Sequence, residues 1–305
     1  MEALTKVPAW FKLKLETLRS RNAAVDIVMQ TFKGFSIADG STHTAALTYY
    51  TFFSIFPLLL FGAALLGYVT LGNETLREDI MDSALNSFPL LRDMFSPKGL
   101  DFIERRRQEL ALTGVVLALY SGTGAIVALE HALNRIHGVR DEATWIGKRI
   151  AAARWLLVFG LGAVTSLALG AASSWASGIF DGTTAQVLGW LLGHATGIVV
   201  GLMLFATAYR FLPARDATWG QVLPGALLAA ILFEVLKEVG GWYLGRGAAS
   251  REAAFGVFAS AAGLLVASFL LAQVILMSAE LNDVLAERRR TRRSSMNEAK
   301  EDEHD

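Results

Sequence analysis

The chain has 305 residues, of which 53% are hydrophobic and 18% charged, and its 28 Lys+Arg cancel its 28 Asp+Glu. This neutrality excludes a globally basic nucleic-acid binder and a globally acidic chain. A mean hydropathy of +0.41 is too apolar for a soluble two-domain protein, where about a quarter of residues carry charge. Cysteine is absent, which excludes disulfides, thiolate metal sites, iron–sulfur ligation and a thiol nucleophile.

In chain order, residues 1–43 form an N-terminal segment in which Trp10, Phe11, Leu13, Leu15 and Leu18 alternate with Lys12, Lys14 and Arg19. This composition suits an amphipathic helix lying in the interface under a leaflet, or a solvated leader packed on the helix bundle. It lacks the short apolar core and small-residue cleavage site of a secretory signal. A transmembrane domain is predicted over residues 44–286. Its charge-poor windows predict six helices, at about 44–71, 110–130, 155–180, 184–209, 217–243 and 253–280. Crossing a bilayer core as a helix takes about 20 mostly apolar residues. The fifth window is free of charge only over Ala217–Phe233 and must continue through Glu234–Tyr243 to span. None shows the period-two alternation of a membrane β-barrel. The loop 72–109 carries Leu85, Phe88, Leu90, Leu91, Met94, Phe95 and Phe102, so short capping helices broken near Pro89 and Pro97 are expected there. The charged tail 287–305 is expected to be disordered. The fold class read from the sequence is therefore an all-α, polytopic six-helix bundle.

Orientation follows from basic residues. With six helices, 19 Lys and Arg fall on the face holding both termini and nine on the other. Both termini are expected to be cytoplasmic, and residues 72–109 to lie on the outer face.

Few motifs carry chemistry. Gly189, Gly193, Gly197 and Gly201 recur every four residues and open one helix face to close backbone approach. That face either slides against a moving neighbour or packs statically. His194 beside it is expected to bond a neighbouring helix. Pro57 lies within Tyr49-Tyr50-Thr51-Phe52-Phe53-Ser54-Ile55-Phe56-Pro57 and removes the donor for the Phe53 carbonyl, predicting a kink. Ser54, Thr51 and Tyr50 are near enough to satisfy the freed group.

Ionisable groups in or near apolar spans are the stronger pointers, because burying them is costly. Glu234, Lys237 and Glu238 share one helix face by their i, i+3, i+4 spacing. Glu130, His131, Asn134 and Arg135 cluster at the end of the second window, Arg210 ends the fourth, and Glu280 ends the sixth. These groups either bind an ionic head group and relay protons, or pair internally and fix helix register. No two of the five histidines stand four residues apart, and no G-x-S-x-G, P-loop or H-E-x-x-H occurs. Arg288–Arg293 reads as an anchor on acidic lipid head groups.

The run Ala45–Pro57 resembles the opening signature of the YihY/BrkB family of bacterial inner-membrane proteins. The likeness continues at Ala132-Leu133-Asn134-Arg135-Ile136 and Tyr209-Arg210-Phe211-Leu212-Pro213. It then covers Trp219, Pro224-Gly225-Ala226, Glu234, Lys237 and Tyr243, and ends at Ala279-Glu280-Leu281-Asn282. Where the family usually has Gly-Ala-Glu-Leu, this chain has Ser278, and the aromatic often found midway along the last helix is missing. The resemblance implies six membrane helices with cytoplasmic ends and, for activity, a transporter or flippase of lipid-related substrates. The older ribonuclease label of the family finds no acid/base pair or metal-ligand cluster here to support it.

Residues and resemblance together predict a multi-pass inner-membrane protein that is not an enzyme and needs no cofactor. Its candidate cavity is lined by Tyr49, Tyr50, Ser54, Pro57, Glu130, Asn134, Arg210, Glu234, Lys237, Tyr243 and Glu280. Membrane lipids are the expected partners, with envelope proteins or further copies of the chain as open alternatives, and no nucleic acid. A non-transporting scaffold or envelope assembly factor is the second reading, and a membrane-bound nuclease the third.

Overall fold

The computed structural model describes residues 22–69, 107–139, 144–177, 183–245 and 257–302. All regular structure among them is helical. The helices are α1 (Ala23–Ile37), α2 (Gly40–Val69), α3 (Arg107–Ile136), α4 (Trp145–Ser177), α5 (Thr183–Phe211), α6 (Trp219–Gly245) and α7 (Val257–Glu301). Expected features in residues 1–21 and in most of the loop 72–109 lie outside the described residues.

Local chemistry sets the breaks. The Asn22 side chain accepts from the Ala24 amide at 2.9 Å, capping α1. Asp39 takes a left-handed φ of 54° between α1 and α2, a conformation that Asp tolerates better than most residues. Gly138, at φ 65°, terminates α3. There the Val139 amide reaches back to the Asn134 carbonyl at 2.9 Å, as a glycine-ended helix requires.

Helices α2 to α7 form a closed circuit of neighbours, each touching the next and α7 returning to α2, while α1 docks on α7. Alanines make much of this packing possible. Ala132, Ala226, Ala229, Ala230 and Ala279 are fully buried, alongside Leu133, Tyr209, Val222 and Leu276. Small side chains let backbones approach, which membrane helices need because lipid gives no hydrophobic drive for their association. The Tyr209 hydroxyl donates across the circuit to the Ile275 carbonyl of α7 at 2.8 Å. Bulky apolar side chains such as Leu157, Leu161, Leu192 and Met203 point outward and are exposed.

Three of the described helices contain stretches long and apolar enough to cross a membrane: Gly114–Ile136, Gly189–Phe211 and Ala261–Asn297. Two expected boundaries are corrected. The charge-free window places the third predicted helix from residue 155, yet α4 begins at Trp145. Arg149 makes this extension workable, because its Nη1 donates to the Tyr120 carbonyl at 2.6 Å and to Thr123 Oγ1 at 2.7 Å. The tail, expected to be disordered from residue 287, continues as helix to Glu301. Arg288 holds its first turn to Asp26 and Gln30 of α1, and the residues beyond are mostly good helix formers.

Candidate functional site: a charged cluster between α5 and α6

α5 and α6 run antiparallel, and the glycine face predicted on α5 meets α6. A Cβ at Gly201 would stand 3.3 Å from that of Ala230, and one at Gly197 would collide with the Glu234 carboxylate. Gly189 and Gly193 continue this face and are partly buried. The missing side chain at Gly197 thus makes the space that Glu234 fills.

Glu234, whose side chain is only 9% exposed, is held from two sides. Lys237 Nζ lies 2.7 Å from its Oε1 and His194 Nδ1 lies 3.3 Å from its Oε2. The other imidazole nitrogen, His194 Nε2, stands 3.3 Å from Oε1 of Glu238, which is 62% exposed. Trp190 meets the His194 ring edge-on at 4.4 Å, and Lys237 lies 5.4 Å over Phe233. One imidazole therefore bridges a buried carboxylate and an exposed one. A neutral ring has a single N–H and can donate to only one of them, whereas an imidazolium donates to both. Gain or loss of one proton changes which contacts the cluster can keep.

A second polar layer lies at the end of the bundle where α1 docks. Asp283 Oδ1 receives Arg215 Nη1 at 2.7 Å and faces His137 Nδ1 at 3.2 Å, with the His137 side chain only 2% exposed. Burial pushes the His137 pKa below 6.5. The Asp283 hydrogen bond opposes that shift, and the Arg215 charge adds to it. Asn134 Oδ1 accepts from the Ala214 amide at 2.7 Å, and Asn282 Oδ1 from the Gly225 amide at 2.6 Å. The Glu280 carboxylate occupies the space a side chain at Gly34 would need.

The predicted site residues therefore separate. Glu234 and Lys237 join His194 and Glu238. Asn134 and Glu280 belong to the α1 end, where Glu130 stands half-buried one turn before Asn134. Arg210 lies against Trp219 and Phe211, 4.3 and 5.2 Å from their ring centres. Tyr49 and Tyr50 are 58% and 41% exposed, and α7 stands between their helix and α6 in the circuit. Ser54 donates to the Thr51 carbonyl at 2.9 Å, not to the Phe53 carbonyl that Pro57 leaves open. α2 nevertheless continues as helix through Pro57. The Tyr243 side chain lies outside the described residues. His194, expected from the sequence to bond a neighbouring helix and not counted among the cavity residues, does so through Glu234 and Glu238. Its signal was its place on the glycine-lined helix, one turn from Gly197.

The model of the family described as Virulence factor BrkB matches residues 31–303. An uncharacterized protein of Dickeya dadantii (strain 3937) is 28% identical over 214 residues, 65% of each chain, so the match spans just under two thirds of that relative. The Bacillus subtilis protein YfkH, named ribonuclease-like, is 24% identical over 285 residues, 87% of this chain and 97% of its own. Inner membrane protein YhjD of Escherichia coli is 26% identical over 244 residues, 72% of this chain and 69% of its own. No solved structure matches the chain.

Proposed function

This chain belongs to the Virulence factor BrkB family and is a membrane protein, and from that premise we propose that it carries a lipid-related amphiphile across the bacterial inner membrane rather than catalysing a reaction. On this reading it crosses six times with both termini in the cytoplasm, as its basic residues favour. Its similarity to an inner membrane protein of Escherichia coli supports the location.

The observation that carries the reading is the imidazole of His194, set between buried Glu234 and exposed Glu238 at 3.3 Å from each. Ionisable groups within a membrane span are costly, and they mark proton relays and substrate paths. Glu238, nearer the outer face in the proposed orientation, takes up a proton and His194 passes it to Glu234. Neutral Glu234 then releases Lys237, whose ammonium is free to hold an anionic head group. Deprotonation restores the 2.7 Å Lys237–Glu234 pair and expels the cargo.

The test is flux of labelled phospholipid in liposomes holding the full chain, with and without a proton gradient. Glu234→Gln and His194→Gln are expected to abolish gradient-driven flux, and Lys237→Met to abolish flux altogether. Unchanged flux in all three variants, each inserted and folded, would sink the mechanism. Absence of flux in the wild type would favour the scaffold reading, in which the same groups only pair helices.

A further inference from the structure

Arg210 closes the apolar stretch Gly189–Phe211 of α5, at the level where a bilayer gives way to its head groups. Other arginines at this end have protein partners: Arg215 has Asp283, Arg135 has Asp39 and Arg288 has Asp26. Arg210 has none. Its Nη1 is buried without a hydrogen bond.

Aromatic rings hold the guanidinium instead. It stands 4.3 Å from the centre of Trp219 and 5.2 Å from that of Phe211. Phe211 stacks on Trp155 at 5.9 Å and meets Trp219 edge-on at 5.9 Å. Phe211 and Trp219 are 49% and 46% exposed, so the cluster opens on the outer flank of the bundle, where α4, α5 and α6 meet lipid. Tryptophan belts settle at head-group level. A half-buried cation fixed on such a belt, with its inner donor unpaired and no ion pair among the described residues, is left to be neutralised by a group reaching its outer side. Guanidinium suits phosphate because two parallel N–H donors match two phosphate oxygens.

We propose that Arg210, clamped by Trp219 and Phe211, binds the phosphate of an anionic phospholipid in the adjacent leaflet. This goes beyond the transport reading and does not need it. Arg210 lies thirteen residues from Gly197 along α5, about 20 Å from the Glu234 cluster.

The experiment uses the full chain in phosphatidylcholine nanodiscs titrated with brominated phosphatidylglycerol, read by tryptophan quenching, with bound lipid counted by native mass spectrometry. Arg210→Gln is expected to weaken phosphatidylglycerol binding about tenfold, the loss of a charge-assisted phosphate contact, and to leave phosphatidylcholine retention unchanged. Arg210→Lys should retain part of the binding, and Trp219→Leu, which removes the clamp but keeps the charge, should weaken it. These two variants decide the matter if Arg210→Gln does not fold. Arg292→Gln removes the same charge from the exposed part of α7. An equal loss in that variant would mean general attraction to a charged surface and would overturn the site. Full displacement by millimolar inorganic phosphate would overturn the lipid assignment in favour of a soluble phosphate compound. Binding is read without flux, so failed transport with Arg210-dependent binding would sink only the transport reading.

Discussion

The two polar layers are built from similar residue types but joined differently. At the α1 end, groups far apart in the chain meet at short distances. Arg215 and Asp283 are 2.7 Å apart across 68 residues of sequence, and the Gly225 amide and Asn282 are 2.6 Å apart across 57. In the α5–α6 layer, one lysine pair at 2.7 Å lies within α6, and only two longer imidazole contacts at 3.3 Å join α5 to α6. The first arrangement fixes the order of the circuit. The second, on the proposed reading, leaves a proton whose position decides which partner is held. A membrane protein can thus spend buried polarity on locking one end and on poising a site further along.

The contrast is most open to breakage at Gly225. A Cβ there would collide with the Ser278 backbone carbonyl and the Asn282 amide, whereas one at Gly197 would meet only the end of the Glu234 side chain. Gly225→Ala is expected to cost about 3 kcal/mol, within the overpacking range, and Gly197→Ala clearly less. Thermal unfolding followed by intrinsic tryptophan fluorescence in detergent would show it, and the reverse order would refute the assignment of lock and site.

Next in size is Asp283→Asn, which removes the negative charge that Arg215 and His137 share and leaves them only an amide oxygen. Breaking a buried pair costs about 3–5 kcal/mol. With Asp283 34% exposed, solvent screening reduces the expected loss to about 2 kcal/mol. The same measurement checks this, and the conservative Asp283→Glu should recover part of the loss.

The smallest effect is a pH dependence. Burial, together with Arg215 and against the Asp283 hydrogen bond, holds the folded His137 below 6.5. As pH falls, the unfolded chain takes up this proton first, so the unfolded state gains. The contribution is full above 6.5 and is lost between 6.5 and the lowered folded value. The part of the stability that His137 carries should therefore fall on acidification from about pH 7.5 to about pH 5, and His137→Asn should remove that part, read as the difference between the two melting profiles.

The long apolar stretches were legible because composition alone reports them, and Gly114–Ile136 and Gly189–Phe211 overlap most of the second and fourth predicted windows, the first running nearly two turns past its predicted end. So was the shared face of Glu234, Lys237 and Glu238, which needs only the pitch of a helix. The α1-end layer was not legible. His137 and Asp283 are 146 residues apart, and nothing local announces that they meet. The early start of α4 was hidden for a different reason. Lys148, Arg149 and Arg154 read as a soluble connection until the Arg149 guanidinium is seen turned onto α3.

The 45 residues of α7 make a rod of about 68 Å, more than twice the roughly 30 Å of a bilayer's hydrocarbon core. It is gripped about two fifths of its length from the C-terminal tip, where Asn282 meets Gly225. From that fulcrum to Glu301 is about 28 Å, so a tilt of about 5° displaces the tip by about 2.5 Å. Mechanically, α7 is a lever. A tilt of α7 inside the bundle too slight to alter any helix is carried to the basic arm beyond it, which Arg288 ties to α1.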